Sequence, residues 1–457
     1  MNLIFVSLLL FMGACSYSPM YDRPLAPVPD TFSASEVPAD AVTATGDWRA
    51  HFKDPGLQKV IEAALVHNRD LKVAALKVQE VRALYQIQLA ERLPGVSANA
   101  GLIRGKSIDP FSGEGVTSSL YQGSVGLTVY ELDFFGRVKS LSNAALERYQ
   151  ATEWALRSVQ MSLIAETASL WIRELSLSEQ EQLSLETLRS RENSLEIDRN
   201  RVKSGIANLL EMKTSQMLVE TARASLLEVK REIELNRNSL RILVGDFNFR
   251  SEKSPLLVGD IRFPELNPGV SSTLLTRRPD ILQSESLLKA ANANIGAARA
   301  AFFPSISLTS SIGSVSTDLD GLFKANTEVW SFVPQINIPI FTGGRNRANL
   351  DAAKVRKEIA VIQYEQAIQN AFKEVKNSLM SHELIVQQVA AQKAVRDADA
   401  ERAGIARVRY ERGISGYLEY LEAQRSQFDS DRTYLRLNEL RLNNDIALYR
   451  ALGGSWR

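Results

Sequence analysis

The segment Arg409-Tyr410-Glu411-Arg412-Gly413-Ile414-Ser415-Gly416-Tyr417-Leu418 lies between two long helical patterns and interrupts them with two glycines. An earlier segment has a closely similar sequence: Arg201-Val202-Lys203-Ser204-Gly205-Ile206-Ala207-Asn208-Leu209-Leu210. Gly205 and Ile206 match Gly413 and Ile414, each 208 positions later. A period this long exceeds that of solenoid repeats, so it indicates a duplicated domain.

Each half of the chain follows one order: helix, β-hairpin, very long helix, glycine turn and long return helix. The first repeat is predicted at 47–245, with its hairpin at 95–135 and its helical hairpin at 137–245. The second is predicted at 271–457, with the corresponding parts at 304–341 and 345–452. The proline-bearing segment 246–270 connects them.

The helical stretches are too long for an ordinary globular core. No proline or glycine occurs between Arg137 and Lys203, which predicts a helix of about 100 Å. The return helix of the first repeat has a coiled-coil seam, and Asn236 within it is expected to fix the register. The seam positions are Val219, Ala222, Leu226, Val229, Ile233, Asn236, Leu240 and Leu243.

The hairpin segments alternate apolar and small polar residues with period two, as β-strands do. One predicted face carries Tyr121, Gly123, Val125, Leu127 and Val129. Such a face meets a second sheet in a soluble sandwich, or lipid in an outer-membrane barrel, and the alternation fits both. Four strands cannot close a membrane barrel alone, so the lipid-facing interpretation requires an oligomer.

The N-terminus predicts export. Residues 3–12 form an apolar run too short to cross a bilayer, followed by Gly13-Ala14-Cys15. This is typical of a signal peptide at 1–14, and the only cysteine stands where bacterial lipoproteins carry diacylglycerol. We therefore predict lipid attachment at Cys15, the alternative being an ordinary signal peptide. The proline-bearing segment 15–46 is predicted to be an extended linker.

Composition argues against several classes of function. The 54 Lys and Arg residues balance 53 Asp and Glu, so no nucleic-acid partner is expected. His51, His67 and His382 lie far apart and lack ligand spacing, which argues against a metal site. No nucleophile–base pair or phosphate loop stands out, so neither an enzyme nor a cofactor is expected.

Taken together, the motifs resemble the TolC-like outer-membrane efflux protein family, lipoprotein subgroup. The segments that carry this resemblance span nearly the whole mature chain: the residues up to Cys15, Trp48 with Asp54, 131–137, 278–281, 301–304, 339–345, 417–425 and 452–456. The resemblance implies an α+β membrane protein. Three chains would form a twelve-stranded barrel, four strands from each, continued by a twelve-helix periplasmic tunnel.

The resemblance also implies a function and partners. The expected homotrimer is a passive exit duct in the outer membrane, lipid-anchored and in contact with outer-membrane lipid. It would conduct small molecules, such as drugs, other toxic compounds or metal ions. Its expected partners are a periplasmic adaptor (membrane fusion) protein and an inner-membrane transporter of the RND type. A duct for type I protein secretion and a periplasmic coiled-coil scaffold without a pore are the alternatives.

In this family the glycine turns form the periplasmic tip of the tunnel. The matching residues are Gly205-Ile206-Ala207 and Gly413-Ile414-Ser415, and the resemblance implies that they dock the adaptor rather than only cap helices. Leu418 matches the family's apolar constriction. Glu422 stands where many members have aspartate, on the same helix face as Leu418.

These positions predict a periplasmic gate in the second repeat. Rings of Leu418 and Glu422 would close the pore and select cations. Arg425 would pair with a neighbouring carboxylate, and Glu419 is a further candidate. The first repeat has Leu210, Thr214 and Met217 at the positions of Leu418, Glu422 and Arg425, so no gate is expected there.

Overall fold

The computed structural model describes residues 17–30, 32, 47–108, 110–111, 113–206, 208–250, 256–264 and 272–454. Its α-helices are α1 (Trp48–His51), α2 (Pro55–His67), α3 (Arg69–Ala90), α4 (Arg137–Lys203), α5 (Leu209–Val244), α6 (Pro279–Ala300), α7 (Arg345–Glu411) and α8 (Tyr417–Ala451). Its strands are β1 (Val96–Ile108), β2 (Gly115–Leu132), β3 (Ser305–Ser316) and β4 (Glu328–Asn337). Two short 3-10 helices are Ser272–Arg277 and Leu319–Gly321.

The two long helices, α4 and α7, have 67 residues each. Helix α4 occupies the stretch without proline or glycine, which confirms the predicted continuous helix. Helix α7 tolerates Gly404 in its interior, where the missing side chain costs about 1 kcal/mol relative to alanine. The surrounding turns are good helix formers, so one glycine does not end the helix.

Helix α5 buries the predicted seam, with one difference. The positions from Val219 to Leu240 are buried, but at the end of the helix Val244 is buried and Leu243 only partly so. Asn236 donates from Nδ2 to the Leu170 carbonyl at 3.1 Å and to the Glu174 carboxylate at 3.1 Å. These bonds fit one alignment of α5 on α4, as expected for a register-fixing asparagine.

Asn68 and Arg278 make matching contacts in the two halves of the chain. Asn68 Nδ2 donates to the Leu243 carbonyl at 2.8 Å, and Arg278 Nη1 donates to the Ala451 carbonyl at 2.6 Å. Both carbonyls belong to the last turn of a return helix, where intrahelical donors are missing. Asn68 directly precedes α3 and Arg278 directly precedes α6. Equivalent contacts at matching positions support a duplicated domain.

The strands form one antiparallel sheet in the order β1-β2-β3-β4. Both predicted hairpins are therefore present, and β2 pairs with β3 to join them. Strands β1 and β4 lie at the two edges of this sheet. No helix within the described ranges has the length and apolar content needed to cross a bilayer.

A β-bulge corrects the predicted face of β2. Leu127 pairs with Ser310 and Tyr130 pairs with Leu308, so two residues of β2 oppose a single residue of β3. An extra residue shifts the alternation by one position. Tyr130, rather than Val129, therefore joins the face of Leu127.

Large apolar side chains cover one face of the sheet and remain exposed. Ile312 pairs with Trp330 and Ile306 pairs with Ile336, and the Trp330 side chain is 78% exposed. The opposite face carries small polar side chains, such as Ser311 and Ser331, whose hydroxyls lie 2.8 Å apart. In a water-soluble sheet the apolar face is normally covered by other parts of the protein, whereas here it is exposed.

The described residues divide into two compact units. One contains 17–25, 77–153 and 282–366, and includes the sheet; the other contains 26–76, 154–281 and 367–454. In the first unit, residues 17–25 form no regular structure but are held in place. Arg23 donates two bonds to Glu285 Oε1 and one to Oε2, at 2.8 to 3.0 Å. In the second unit, a core around Phe52, Trp171 and Tyr449 lies under α2.

Candidate functional site at the helical tips

Both helical tips end their long helices with the same backbone motif. The Ile206 N–H donates to the Arg201 carbonyl at 2.9 Å, and the Ile414 N–H donates to the Arg409 carbonyl at 2.9 Å. Gly205 has φ of 72° and Gly413 has φ of 71°. This is the Schellman ending, which needs a left-handed residue and therefore favours glycine. The interpretation of both glycines as tight turns between helices is confirmed.

The apolar residues after these glycines are exposed. The Ile206 side chain is 71% exposed and that of Ile414 is 65% exposed. Ser415 is half-buried, and its hydroxyl has no hydrogen-bond partner within the described part of the chain. Ala207 lies outside the described residues, as does Cys15. The turn at each tip therefore presents one exposed apolar side chain.

The two tips differ in how the return helix begins. Asn208 caps α5: its side chain accepts from the Glu211 N–H at 2.9 Å. At the second tip Gly416 precedes α8 and makes no side-chain cap bond. An asparagine cap stabilises a helix by a few tenths of a kcal/mol relative to glycine. The first turn of α8 is therefore less stabilised by its cap than the first turn of α5.

A buried polar network ties the two tips together. Asp198 on α4 is 1% exposed and accepts from Tyr410 Oη of α7 at 3.2 Å. Arg201 Nη1 donates to the same Tyr410 hydroxyl. Ser215 on α5 donates to Asp198, and its hydroxyl lies 2.7 Å from that of Tyr417 on α8. Three helices therefore meet at the Asp198 carboxylate, and α8 joins the network through Ser215.

Burial and charge keep the Tyr410 hydroxyl protonated. Desolvation, followed by the Asp198 charge, raises the pKa of Tyr410 to about 12. Burial also raises the pKa of Tyr417. Both hydroxyls therefore remain able to donate a hydrogen bond at any physiological pH.

The predicted gate residues of α8 are all exposed. Leu418 is 65% exposed, and Glu422 and Arg425 are exposed as well. The neighbouring Tyr420, Leu421 and Ala423 are buried against the rest of the chain. The face that carries Leu418 and Glu422 is thus free to contact another molecule or to line an opening.

Two further candidates differ in their contacts. Glu419 lies 3.3 Å from Arg409 Nε, so its charge is partly compensated within the chain. Arg425 forms no ion pair with any described residue, and it lines a groove with Arg191 on α4. Glu419 and Glu422 line one groove with Arg402 and Arg409 of α7. Leu418 shares a helix face with Glu422 by its spacing of four, and Arg425 lines a different groove.

Sequence reasoning missed the network around Asp198. Asp198 and Ser215 are polar residues on otherwise buried faces, and Tyr410 and Tyr417 flank the second glycine turn at a spacing of seven. The two polar residues on apolar faces are the signal that points to buried polar partners. No pattern in the sequence shows that Asp198 meets a tyrosine 212 positions later.

Comparison with known proteins identifies the family. The family model "Outer membrane efflux protein" matches residues 60–246 and 270–454. Cation efflux system protein CusC of Escherichia coli K12 is 40% identical over 451 residues, covering 97% of each chain. Toluene efflux pump outer membrane protein TtgI of Pseudomonas putida is 41% identical over 460 residues, covering 98% of this chain and 97% of TtgI.

Similarity to a solved structure agrees with this family assignment. The open state of the MtrE outer membrane channel of Neisseria gonorrhoeae superposes with a TM-score of 0.88 at 37% identity. The match covers 97% of this chain and 99% of MtrE. The family match includes both glycine tips, the four strands and the gate positions. This chain belongs to the outer membrane efflux protein family, as its motifs predict.

Proposed function

We propose that three copies of this chain form a passive exit duct that conducts small molecules out through the outer membrane. The observation that carries the proposal is the sheet with an exposed apolar face and two edge strands, β1 and β4. Uncovered strand edges attract further strands, and three such sheets supply twelve strands, enough to close a barrel. Lipid would then cover Trp330 and its apolar neighbours, and the small polar face would line the lumen.

The helical tips would form the periplasmic entrance of this duct. Three copies of Leu418 would narrow the opening, and three Glu422 carboxylates would attract cations. Ile206 and Ile414, on exposed turns, are the proposed docking points for an adaptor protein. An inner-membrane transporter of the RND type would supply the cargo through that adaptor.

Membrane attachment would begin at the N-terminus. The proposed signal peptide, 1–14, would be removed and Cys15 would carry lipid. The bond between Arg23 and Glu285 supports this arrangement, because it fixes the segment after the anchor to α6. A lipid anchor and a barrel would then hold the same unit of the chain in the membrane.

The names of the relatives suggest two classes of cargo. CusC is named for cation efflux and TtgI for toluene efflux, so both metal ions and small organic compounds are candidates here. No group of metal-ligating side chains occurs among the described residues. A duct needs none, because a wide lumen conducts without binding and the transporter selects.

The gate is tested by single-channel recording in planar lipid bilayers. We expect the double substitution Leu418→Ala, Glu422→Ala to raise the conductance, because it removes both the apolar ring and the bulk of the carboxylate ring. The matched control is Leu210→Ala, Thr214→Ala in the first repeat, which should leave the conductance unchanged. Equal conductance in all three proteins would exclude Leu418 and Glu422 from the gate.

The same recordings separate the rival functions. A periplasmic coiled-coil scaffold gives no channel activity and no heat-modifiable membrane species. A duct for type I protein secretion conducts ions as well, so it is distinguished by secretion of a protein substrate from cells that carry the chain.

A further inference from the structure

A groove on the second unit exposes an unusual concentration of arginine. Its volume is about 790 Å³, and it is lined by residues of α4, α5 and α8. Arg191 of α4 lies at its floor and is only 7% exposed. Arg425 and Arg432 of α8 line one wall, and Arg231 of α5 lines the other.

The arginine at the floor has no acidic partner. Arg191 Nη1 donates to the Leu218 carbonyl at 3.1 Å, and no carboxylate in the described part of the chain forms an ion pair with it. Burial, and then the charge of Arg425, lower the pKa of Arg191. The charge of Asp429, which forms no ion pair with Arg191 among the described residues, acts in the opposite direction. A buried charge without a directly paired counterion is costly to the fold, so this position favours a bound anion.

The other charges of the groove leave it positive. Glu228 and Asp429 also line it, but neither pairs with Arg191, Arg425 or Arg432 among the described residues. Arg231 has its own partner, Glu232, at 3.5 Å. The carboxylates therefore soften the positive potential without neutralising the guanidinium groups.

An aromatic ring orients two of these guanidinium groups. The Phe428 ring centroid lies 5.8 Å from Arg191 Cζ and 5.6 Å from Arg432 Cζ. A guanidinium near an aromatic ring is held by cation–π attraction and keeps its N–H groups available in the plane. Planar N–H pairs match the paired oxygens of carboxylate or phosphate.

We propose that this groove is an oxyanion-binding site, in which Arg191, Arg425 and Arg432 bind a carboxylate or phosphate group. The oxyanion proposed here is a free ion, which is a different occupant from the neighbouring carboxylate that the gate prediction assigns to Arg425. The proposal does not depend on conduction through a duct, so it can fail while the proposed function stands.

The test measures thermal unfolding of the detergent-solubilised full chain by far-UV circular dichroism. Inorganic phosphate is titrated at millimolar concentration against chloride of equal ionic strength. A ligand bound only by the folded chain raises the midpoint in a saturable way. We expect this for the wild type, and we expect Arg432→Gln to weaken phosphate binding about tenfold or more, since a charged hydrogen bond is lost.

Two further variants control the result. Arg191→Met places an apolar side chain of similar length at the buried floor and should also abolish the phosphate response. Arg436→Gln removes an exposed arginine one turn beyond Arg432 on α8 and should respond like the wild type. A phosphate response that Arg432→Gln leaves unchanged would overturn the proposal.

A wild type whose thermal midpoint does not respond to phosphate, with its helical content intact, would also overturn the proposal.

Discussion

At the scale of single residues, Tyr410 connects several side chains at the tips through its hydroxyl and its ring. Its hydroxyl accepts from Arg201 and donates to Asp198, and its ring stacks on that of Tyr420 at 5.6 Å. One side chain of α7 thereby provides hydrogen-bond partners for both Asp198 and Arg201 of α4. Such groups are expensive to leave unpaired.

We expect Tyr410→Phe to destabilise the tip by about 1 to 3 kcal/mol, because Asp198 and Arg201 both lose a buried partner. In bilayers the same variant should open more often than the wild type. Tyr434→Phe is the matched control on α8, since its ring also contacts an arginine, at 4.4 Å. Equal denaturant midpoints and equal opening in both variants would show that the Tyr410 hydroxyl is dispensable.

A second residue gives the protein a dependence on pH. His51 is 7% exposed, its ring stacks on that of Tyr449 at 4.6 Å, and its Nε2 has no partner among the described residues. Desolvation lowers the pKa of His51 to about 4. The unfolded chain binds this proton near pH 6.5, so the stability present above pH 6.5 is lost as the pH falls toward 4.

The loss should reach about 3 kcal/mol at most. We expect His51→Phe to remove this part of the acid sensitivity, measured as the difference in thermal midpoint between pH 7.5 and pH 5. His67→Gln, at an exposed position of α2, should behave like the wild type. If His51→Phe keeps the full acid sensitivity, protonation occurs elsewhere.

At the scale of elements, helix ends and strand alternation differ in how well they can be predicted. The ends of α4 and α7 follow from Gly205 and Gly413, because only a left-handed residue completes the Schellman ending. The bulge in β2 was missed because alternation alone does not reveal which residue is left unpaired. The partner of Arg23 was missed as well, since Glu285 lies 262 positions away.

Arg278 joins three helices by its guanidinium. Its partners are the Ala451 carbonyl of α8, Asp280 of α6 at 2.7 Å and Glu374 of α7 at 3.0 Å. Desolvation opposes the charge of Arg278, but these acidic partners outweigh it and raise its pKa. The arginine of the Arg278-Pro279-Asp280 motif therefore acts as a structural clamp.

We expect Arg278→Ala to lower the free energy of unfolding by about 1 to 3 kcal/mol, because the buried Ala451 carbonyl loses its donor, while Asp280 and Glu374 stay partly exposed. Arg277→Ala changes the adjacent, exposed arginine and should cost less than about 0.5 kcal/mol. Urea unfolding in detergent measures both. A similar midpoint for the two variants would contradict the clamp.

At the scale of the whole molecule, some features can be predicted from the sequence and others only from the three-dimensional structure. The long helices, the two hairpins and the family follow from the sequence, because glycine spacing, alternation and motifs are local. The continuous apolar face across β2, β3 and β4 could be recognised only once the pairing register of these strands was known. The polar network that joins four helices around Asp198 could be found only from the packing of those helices. The number of chains in the duct stays a prediction.

That prediction and the gate can be tested together, because the chain has a single cysteine, Cys15. The protein carrying Glu422→Cys is recorded in planar bilayers while a bulky thiol reagent is added, with the wild type as the control for any reaction at Cys15. A trimeric duct with Glu422 at its constriction predicts that the current falls in three discrete steps. Complete labelling of the introduced thiol, verified by mass spectrometry, with an unchanged current would contradict it.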